Sequence, residues 1–256
     1  MIDPITLAVV HNNLISIANG MQETAFRCSV TTLMYEIRDC AFTLLDTDLG
    51  VIAQSHGLIG FLGSLGPATK NCVDFIGKEN LAAGDVVIST VPVITGSHSA
   101  DILLFTPLYY RGKLFGFAAT KSHLNDIGAK AVFPTDSVSV YEEGLHLPPV
   151  KLYRAGSLQP EIWEIIKWNT RTPDLVWGDI QAMISGCHFA EKRLAELLDK
   201  YSLGTVVECI NEIYNYSGCA YINCYAISVL SFMARYKNSL RPISICKIDL
   251  PVCISE

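Results

Sequence analysis

Apolar residues recur at intervals of three or four in two long segments of the chain, a spacing typical of amphipathic helices. The first segment covers residues 4–26, where Asp3 and Pro4 supply an N-cap and a first-turn proline. The second starts at Thr172-Pro173 and reaches about Tyr201. Shorter segments with the same periodicity predict two further helices, over 62–77 and 203–217.

Shorter apolar runs bounded by turn residues predict β-strands in the first half of the chain. They form a hairpin over 40–46 and 51–54, a strand over 85–90, and a second hairpin over 102–110 and 113–120 with Arg111-Gly112 at its turn. Residues 128–158 show no regular pattern and are expected to be irregular. Together these elements predict an α+β fold, with a mixed or antiparallel sheet, flanking helices and a long C-terminal helical segment.

Polar side chains flank the second hairpin in two similar patterns. GSHSADILLF places His98 three residues before Asp101 at the start of the hairpin, and ATKSHLNDIGAK places His123 three residues before Asp126 just past its end. Antiparallel strands of similar length bring the start and the end of a hairpin together. The two HxxD elements are therefore expected to meet at one end of the sheet.

Two histidines and a carboxylate without cysteine suit a divalent metal such as Zn, Mn or Fe, and the ligand types leave the metal's identity open. Asp39, at the start of a strand, is a third candidate carboxylate. The alternative is that these histidines are hydrogen-bonded loop residues and that Asp39 faces water. Glu142 and Glu143 have the chemistry of an acid/base group, although such a pair is more often a solvated loop face.

Composition narrows the classes of function. A net charge of −6 disfavours nucleic acid, whose binding needs a basic surface. Charged residues make up only 17% of the chain, which suggests that a partner chain covers part of the surface. Nine cysteines with no CxxC pair are typical of reduced cytoplasmic thiols. The apolar stretch 218–234 falls just short of the roughly 20 residues of a membrane span, so a membrane location is not expected.

Several catalytic motifs are missing. The chain has neither GxxxxGK[ST] nor a GxGxxG after a strand, so no nucleotide site of its own is expected. No GxSxG elbow supports a serine nucleophile. A 2-His-1-carboxylate iron oxygenase is a weaker alternative, since that class normally uses HxD within a jelly-roll strand pattern.

The order of several segments resembles the hydantoinase B / 5-oxoprolinase family, which includes the metal-bearing subunits of acetone and acetophenone carboxylases. The resemblance covers residues 3 to about 217. Its most specific segments are EEGLHLPPVKLY and the NTRTP…GD stretch, and the others are DPITLAVVHNNLISIANGMQETAFR, RDCAFTLLDTDLGVIAQ, LGSLGPAT, GSHSADI and SHLNDIG.

This resemblance implies a divalent metal held by His98, Asp101 and His123, with Asp39 as a further ligand or a neighbour of the ligands. It also implies an A-type partner subunit that uses ATP to activate a small cyclic amide or ketone. The chain would then be the B-type subunit of a cytoplasmic, ATP-dependent cyclic-amide hydrolase of the hydantoinase or oxoprolinase type. The alternatives are a subunit of a ketone carboxylase of the acetone type, or an inactive truncated remnant that only binds its partner.

The sequence also departs from the family pattern. Thr95-Gly96-Ser97-His98 stands where relatives commonly have Gly-Gly-Thr-His, and Leu124 stands where they often carry a second histidine. The resemblance stops after about residue 217. We therefore expect a hydantoinase B-like region over 1–217 followed by a divergent apolar tail over 218–256, as in a truncated B subunit.

Overall fold

The computed structural model describes residues 2–132 and 134–217. Its helices are α1 (Pro4–Cys28), α2 (Thr32–Tyr35), α3 (Ile59–Ile76), α4 (Pro92–Thr95), α5 (Pro160–Trp168), α6 (Pro173–Tyr201) and α7 over 203–217. Its strands are β1 (Cys40–Asp46), β2 (Val51–Gln54), β3 (Val86–Ser89), β4 (Asp101–Tyr110), β5 (Lys113–His123), β6 (Val150–Arg154) and β7 (Ser157–Leu158).

The strands form one sheet in the order β2-β1-β5-β4-β3-β6-β7, and every neighbouring pair is antiparallel. Its centre is the long β4–β5 hairpin. Arg111 (φ 48°) and Gly112 (φ 79°) both take positive φ at the turn, the backbone that a two-residue hairpin requires. The turn pairs Tyr110 with Lys113, and an irregularity between Leu108 and Tyr109 then shifts the register by one residue, so that Asp101 and His123 are paired at the far ends of the strands.

Helices cover both faces of this sheet. On one face α3 packs over β1, β4 and β5 around a core that includes Leu65, Phe105 and Phe117. On the other face lies α6, where a side chain added at Gly186 would clash with the Met21 carbonyl of α1 and with Phe42 of β1. Such close approach requires a glycine, and it fixes α6 against both elements.

The predicted α+β fold, with an antiparallel sheet, flanking helices and a long helix near residue 200, is confirmed. The expectation for 128–158 was wrong in part, because β6 and β7 lie at its C-terminal end. Strand β6 pairs with β3, and an ion pair to the buried Asp85 adds to this contact, with Lys151 Nζ 2.6 Å from an Asp85 oxygen. Helix α3 begins at Ile59 rather than 62, which places Pro67 inside the helix.

Residues 12–202 form one compact unit that contains the whole sheet, and residues 2–11 and 203–217 belong to a second unit. Among the described residues, no helix has the length and apolarity needed to cross a membrane. The expected tail over 218–256, with its apolar stretch 218–234, lies outside the described residues.

Candidate metal centre

Two imidazoles and one carboxylate converge at the end of the central hairpin. His98 Nε2 and His123 Nδ1 each lie 3.0 Å from the same Asp101 oxygen, Oδ1. The imidazole ring centroids are 4.9 Å apart. The ligand atoms of all three residues lie within 4.8 Å of one another. We call these three residues the triad.

Strand register and a tight turn explain this convergence. Asp101 and His123 are directly opposite each other on β4 and β5, so their side chains leave the sheet on the same face. His98 reaches them from the turn before β4, which the hydrogen bond from Asp101 N to His98 O closes at 3.0 Å. Gly96, in the left-handed conformation (φ 75°), ends α4 and directs the chain into this turn.

Burial and hydrogen bonding oppose each other at Asp101, which is 5% exposed. Desolvation raises the pKa of this carboxyl, but the hydrogen bonds from His123 and His98 outweigh it and lower the pKa to about 2. The Asp101 hydrogen bond also raises the pKa of His98, against the effect of burial, and the charges of Glu143 and Asp39 add to the rise. Asp101 is therefore an ionised carboxylate at neutral pH.

Asp39 lies beside the triad without belonging to it. Its backbone oxygen accepts hydrogen bonds from His123 N at 3.2 Å and Ser122 Oγ at 3.1 Å. Its own Oδ1 is buried and finds no hydrogen-bond partner among the described residues. Desolvation raises the pKa of Asp39, the Asp101 charge adds to the rise, and the two histidines oppose it. This arrangement leaves an acceptor oxygen that a cation would satisfy.

The second HxxD element does not mirror the first. Arg171 donates three hydrogen bonds to the Asp126 carboxylate. Its Nε lies 3.0 Å from Oδ2 and its terminal nitrogen 2.5 Å from Oδ1, and its backbone N donates to Oδ2. Thr170 Oγ1 and Gly128 N donate as well. Burial alone would raise the pKa of Asp126, but these bonds lower it to about 2. The two HxxD elements meet at this end of the sheet, as expected, but only His123 of the second element joins the triad, because Arg171 already binds the Asp126 carboxylate.

A cavity of about 240 Å³ opens beside the triad, and His98, His123 and Glu143 reach its wall. The two neighbouring glutamates have separate surroundings. Glu142 pairs with Lys130 at 2.8 Å, as expected of a loop-face residue. Glu143 instead lines the cavity, half-buried.

Sequence reasoning missed Lys121, which is fully buried on the triad's face of β5. Its Nζ donates to Ser64 Oγ at 2.9 Å and to the Thr95 carbonyl at 2.5 Å, so it ties α3 and the end of α4 to the strand that carries His123. Burial lowers the pKa of Lys121 to about 8. The signal was present, because a lysine interrupts an apolar strand two residues after Ala119 and four after Phe117.

These residues fit a divalent cation. Imidazole nitrogens and carboxylate oxygens are ligands that Zn, Mn and Fe accept. Because His98 Nε2 and His123 Nδ1 each lie 3.0 Å from Asp101 Oδ1, these three atoms are close enough to bind one ion. Asp39 Oδ1, which accepts no hydrogen bond from the described residues, is available as a further ligand atom.

Comparison with known proteins places this geometry in context. A model of the hydantoinase B/oxoprolinase family matches residues 3–224. The beta subunit of a caprolactamase from Pseudomonas jessenii is 35% identical over 214 residues, which cover 83% of this chain and 37% of that subunit. The chain therefore spans less than two fifths of the length of the curated relatives that it matches.

Two solved structures share the fold. The crystal structure of an ATP-dependent caprolactamase from Pseudomonas jessenii superposes with a TM-score of 0.74 at 34% identity, covering 83% of this chain and 37% of that one. A nucleotide-free acetone carboxylase structure superposes with a TM-score of 0.76 at 20% identity, covering 81% of this chain and 28% of that one. The second likeness concerns the fold alone.

Proposed function

Because the chain belongs to the hydantoinase B/oxoprolinase family, we propose that it forms the metal-bearing part of the B-type subunit of an ATP-dependent cyclic-amide hydrolase. The observation that carries the proposal is the convergence of His98, Asp101 and His123 at the wall of a small cavity. The caprolactamase relative, whose name designates a cyclic amide, supports that substrate class.

His98, Asp101 and His123 would hold the metal, with Asp39 as a further ligand or hydrogen-bond neighbour. A divalent ion would polarise a carbonyl that it binds, and it would lower the pKa of a bound water molecule to a value near neutrality. The chain's own residues fix where that chemistry occurs: Asp101 orients both imidazoles, and Lys121 holds the elements that carry them. The Asp126–Arg171 pair fixes the cavity wall behind His123.

An A-type partner subunit would bind ATP and activate the substrate in the cytoplasm. The absence of nucleotide-binding motifs from this sequence supports that division. The name of the caprolactamase relative, a beta subunit, supports a hetero-oligomer. An unactivated amide is a poor electrophile, so phosphorylation by the partner would supply the driving force that hydrolysis at the metal needs.

A ketone carboxylase subunit is the alternative that the fold of acetone carboxylase favours. The two activities differ in product, because a hydrolase opens an amide ring whereas a carboxylase consumes bicarbonate. A truncated remnant would bind metal and partner without turnover.

The test is reconstitution of the 256-residue chain with an A-type subunit, ATP, divalent metal and a lactam, hydantoin or 5-oxoproline. We expect ATP-dependent ring opening that is independent of bicarbonate and is lost in His123→Ala. Carboxylation of a ketone without ring opening would replace the proposal by its alternative. Metal binding with no turnover of any substrate would identify the remnant.

A further inference from the structure

Two adjacent glutamates in the segment before β6 differ in what holds them. The Glu142 carboxylate accepts hydrogen bonds from Lys130 Nζ at 2.8 Å and Val138 N at 3.2 Å. Among the described residues, no hydrogen bond or ion pair holds the Glu143 carboxylate, and the residue lines the same cavity as His98 and His123. A half-buried carboxylate in this position has acceptor capacity to offer a ligand.

The backbone around Glu143 is fixed from both sides. Leu145 N donates to Ile127 O at 2.8 Å, and Lys130 N donates to Glu142 O at 2.9 Å, so this segment is tied to the cavity wall that follows His123. Leu147 N donates to Thr90 Oγ1 at 2.8 Å, which ties it to the end of β3.

Gly144 makes the close approach possible. Its φ is 117°, and a Cβ there would lie 2.6 Å from the Ile127 carbonyl oxygen. Only glycine accommodates both conditions. Glu143 is thus positioned by its backbone, which lowers the entropy lost when its side chain meets a ligand.

The rest of the wall is mostly apolar. The cavity of about 240 Å³ is smaller than the roughly 300–1,000 Å³ of sites for drug-sized ligands, so it suits a small ring. Its apolar lining includes Ala100, Leu124, Ile127, Ala129, Val132 and Pro134. The ligand that matches these walls is a small ring with an apolar edge and a few adjacent polar atoms.

We propose that the Glu143 carboxylate accepts a hydrogen bond from the ring N–H of a small cyclic amide in this cavity. The assignment rests on the proposed function and adds a residue that selects the substrate. A cyclic amide carries a donor N–H and an acceptor carbonyl on neighbouring atoms. An ionised carboxylate is an acceptor only, so Glu143 selects the N–H and leaves the carbonyl to the triad side of the wall.

Binding to the metal-loaded 256-residue chain tests this assignment. We would titrate δ-valerolactam and its N-methyl derivative by ligand-observed NMR against wild type, Glu143→Gln and the matched control Glu142→Gln. We expect Glu143→Gln to raise the lactam Kd about five- to tenfold, the effect of losing one charge-assisted hydrogen bond, and Glu142→Gln to leave it unchanged. The N-methyl lactam should bind wild type and Glu143→Gln equally, since it has no N–H to donate.

Metal content and thermal unfolding establish first that each variant is folded and loaded. If wild type binds the lactam and Glu143→Gln binds it equally well, or if both lactams lose affinity together, the assignment of Glu143 is overturned while the proposed function stands. If metal-loaded wild type binds neither lactam, both the proposed cyclic-amide substrate class and the role assigned to Glu143 are overturned.

Discussion

Lys121 lies in the core beside the triad, and among the described residues its Nζ forms no ion pair. It donates to two neutral oxygens, the Ser64 hydroxyl and the Thr95 carbonyl, while the charge of Asp101 raises its pKa against the larger effect of burial. Burying an ammonium group in this way is unfavourable, because neutral hydrogen-bond partners replace only part of its hydration. Its structural role is the link between α3, α4 and the strand of His123.

Lys121 should leave a signature in the pH dependence of stability. Its folded pKa of about 8 lies below the unfolded value of about 10.4, so the unfolded chain binds more protons between these values. The destabilisation from Lys121 is therefore complete below about pH 8 and is relieved as the pH rises toward about 10. Relative to Lys121→Met, the wild-type free energy of unfolding should rise by roughly 2 kcal/mol between about pH 7 and pH 10.

Urea denaturation of metal-free protein at both pH values measures this difference. The cysteines of the unfolded chain titrate alike in both proteins and cancel in the comparison. Cys72, which interacts with the Lys121 charge, has its pKa raised by burial to about 12 and so stays protonated in the folded state at pH 10. Lys113→Met, at the exposed start of β5, serves as the control and should keep the wild-type slope. Parallel pH profiles for wild type and Lys121→Met would contradict the account of Lys121.

Among the helices and strands, features set by residues close in sequence were predicted, whereas features set by residues far apart in sequence were missed. The Arg111-Gly112 turn, visible in the sequence, predicts the hairpin whose far ends carry Asp101 and His123. The one-residue register shift between Leu108 and Tyr109, which places these two residues directly opposite each other, was not predicted. Strand β6 was missed because the Lys151–Asp85 ion pair that holds it joins residues far apart in sequence. Arg171, likewise, lies 45 residues from Asp126, and no local pattern indicates that this carboxylate is already bound.

The Asp126–Arg171 pair gives the element-scale prediction. Asp126→Asn should lower the free energy of unfolding by about 2–4 kcal/mol at neutral pH, because a buried carboxylate that accepts several donors loses its charge. The folded pKa of about 2 lies below the unfolded value of about 3.9, so this stabilisation is present above the unfolded value and disappears as the pH falls toward 2.

Denaturant unfolding at neutral and acidic pH measures this loss of stability. The control is Asp136→Asn, because Asp136 is an exposed carboxylate that pairs with Lys130. The metal content of Asp126→Asn should equal that of wild type, because Asp126 fixes the wall and holds no metal. A variant of unchanged stability that lost its metal would reverse the roles assigned to Asp126 and the triad.

For the whole molecule, the triad adds a side-chain link between the turn before β4 and the end of β5, which a hydrogen bond from Leu124 N to Ala100 O also joins. A cation bound by His98, Asp101 and His123 would link the turn before β4 to the end of β5, and so would favour the folded state over the unfolded chain. Metal binding and thermal stability are therefore coupled in this account.

Saturating divalent metal should raise the Tm of the chelator-treated chain. At a free metal concentration of about 100 times Kd, the folded state gains about 2.7 kcal/mol, or roughly 5–11 °C for a chain of this size. Differential scanning calorimetry with and without added Zn, Mn or Fe measures the shift, and His123→Ala should abolish it. An equal shift in His123→Ala would mean that the metal binds elsewhere.

We infer that His98, Asp101 and His123 form one metal site. Mass spectrometry of the metal content in wild type, His98→Ala, His123→Ala and the exposed control His188→Ala tests it most directly. We expect about one equivalent of Zn, Mn or Fe in wild type and His188→Ala and almost none in the two triad variants. Folded wild type without metal, or triad variants that keep it, would contradict the account.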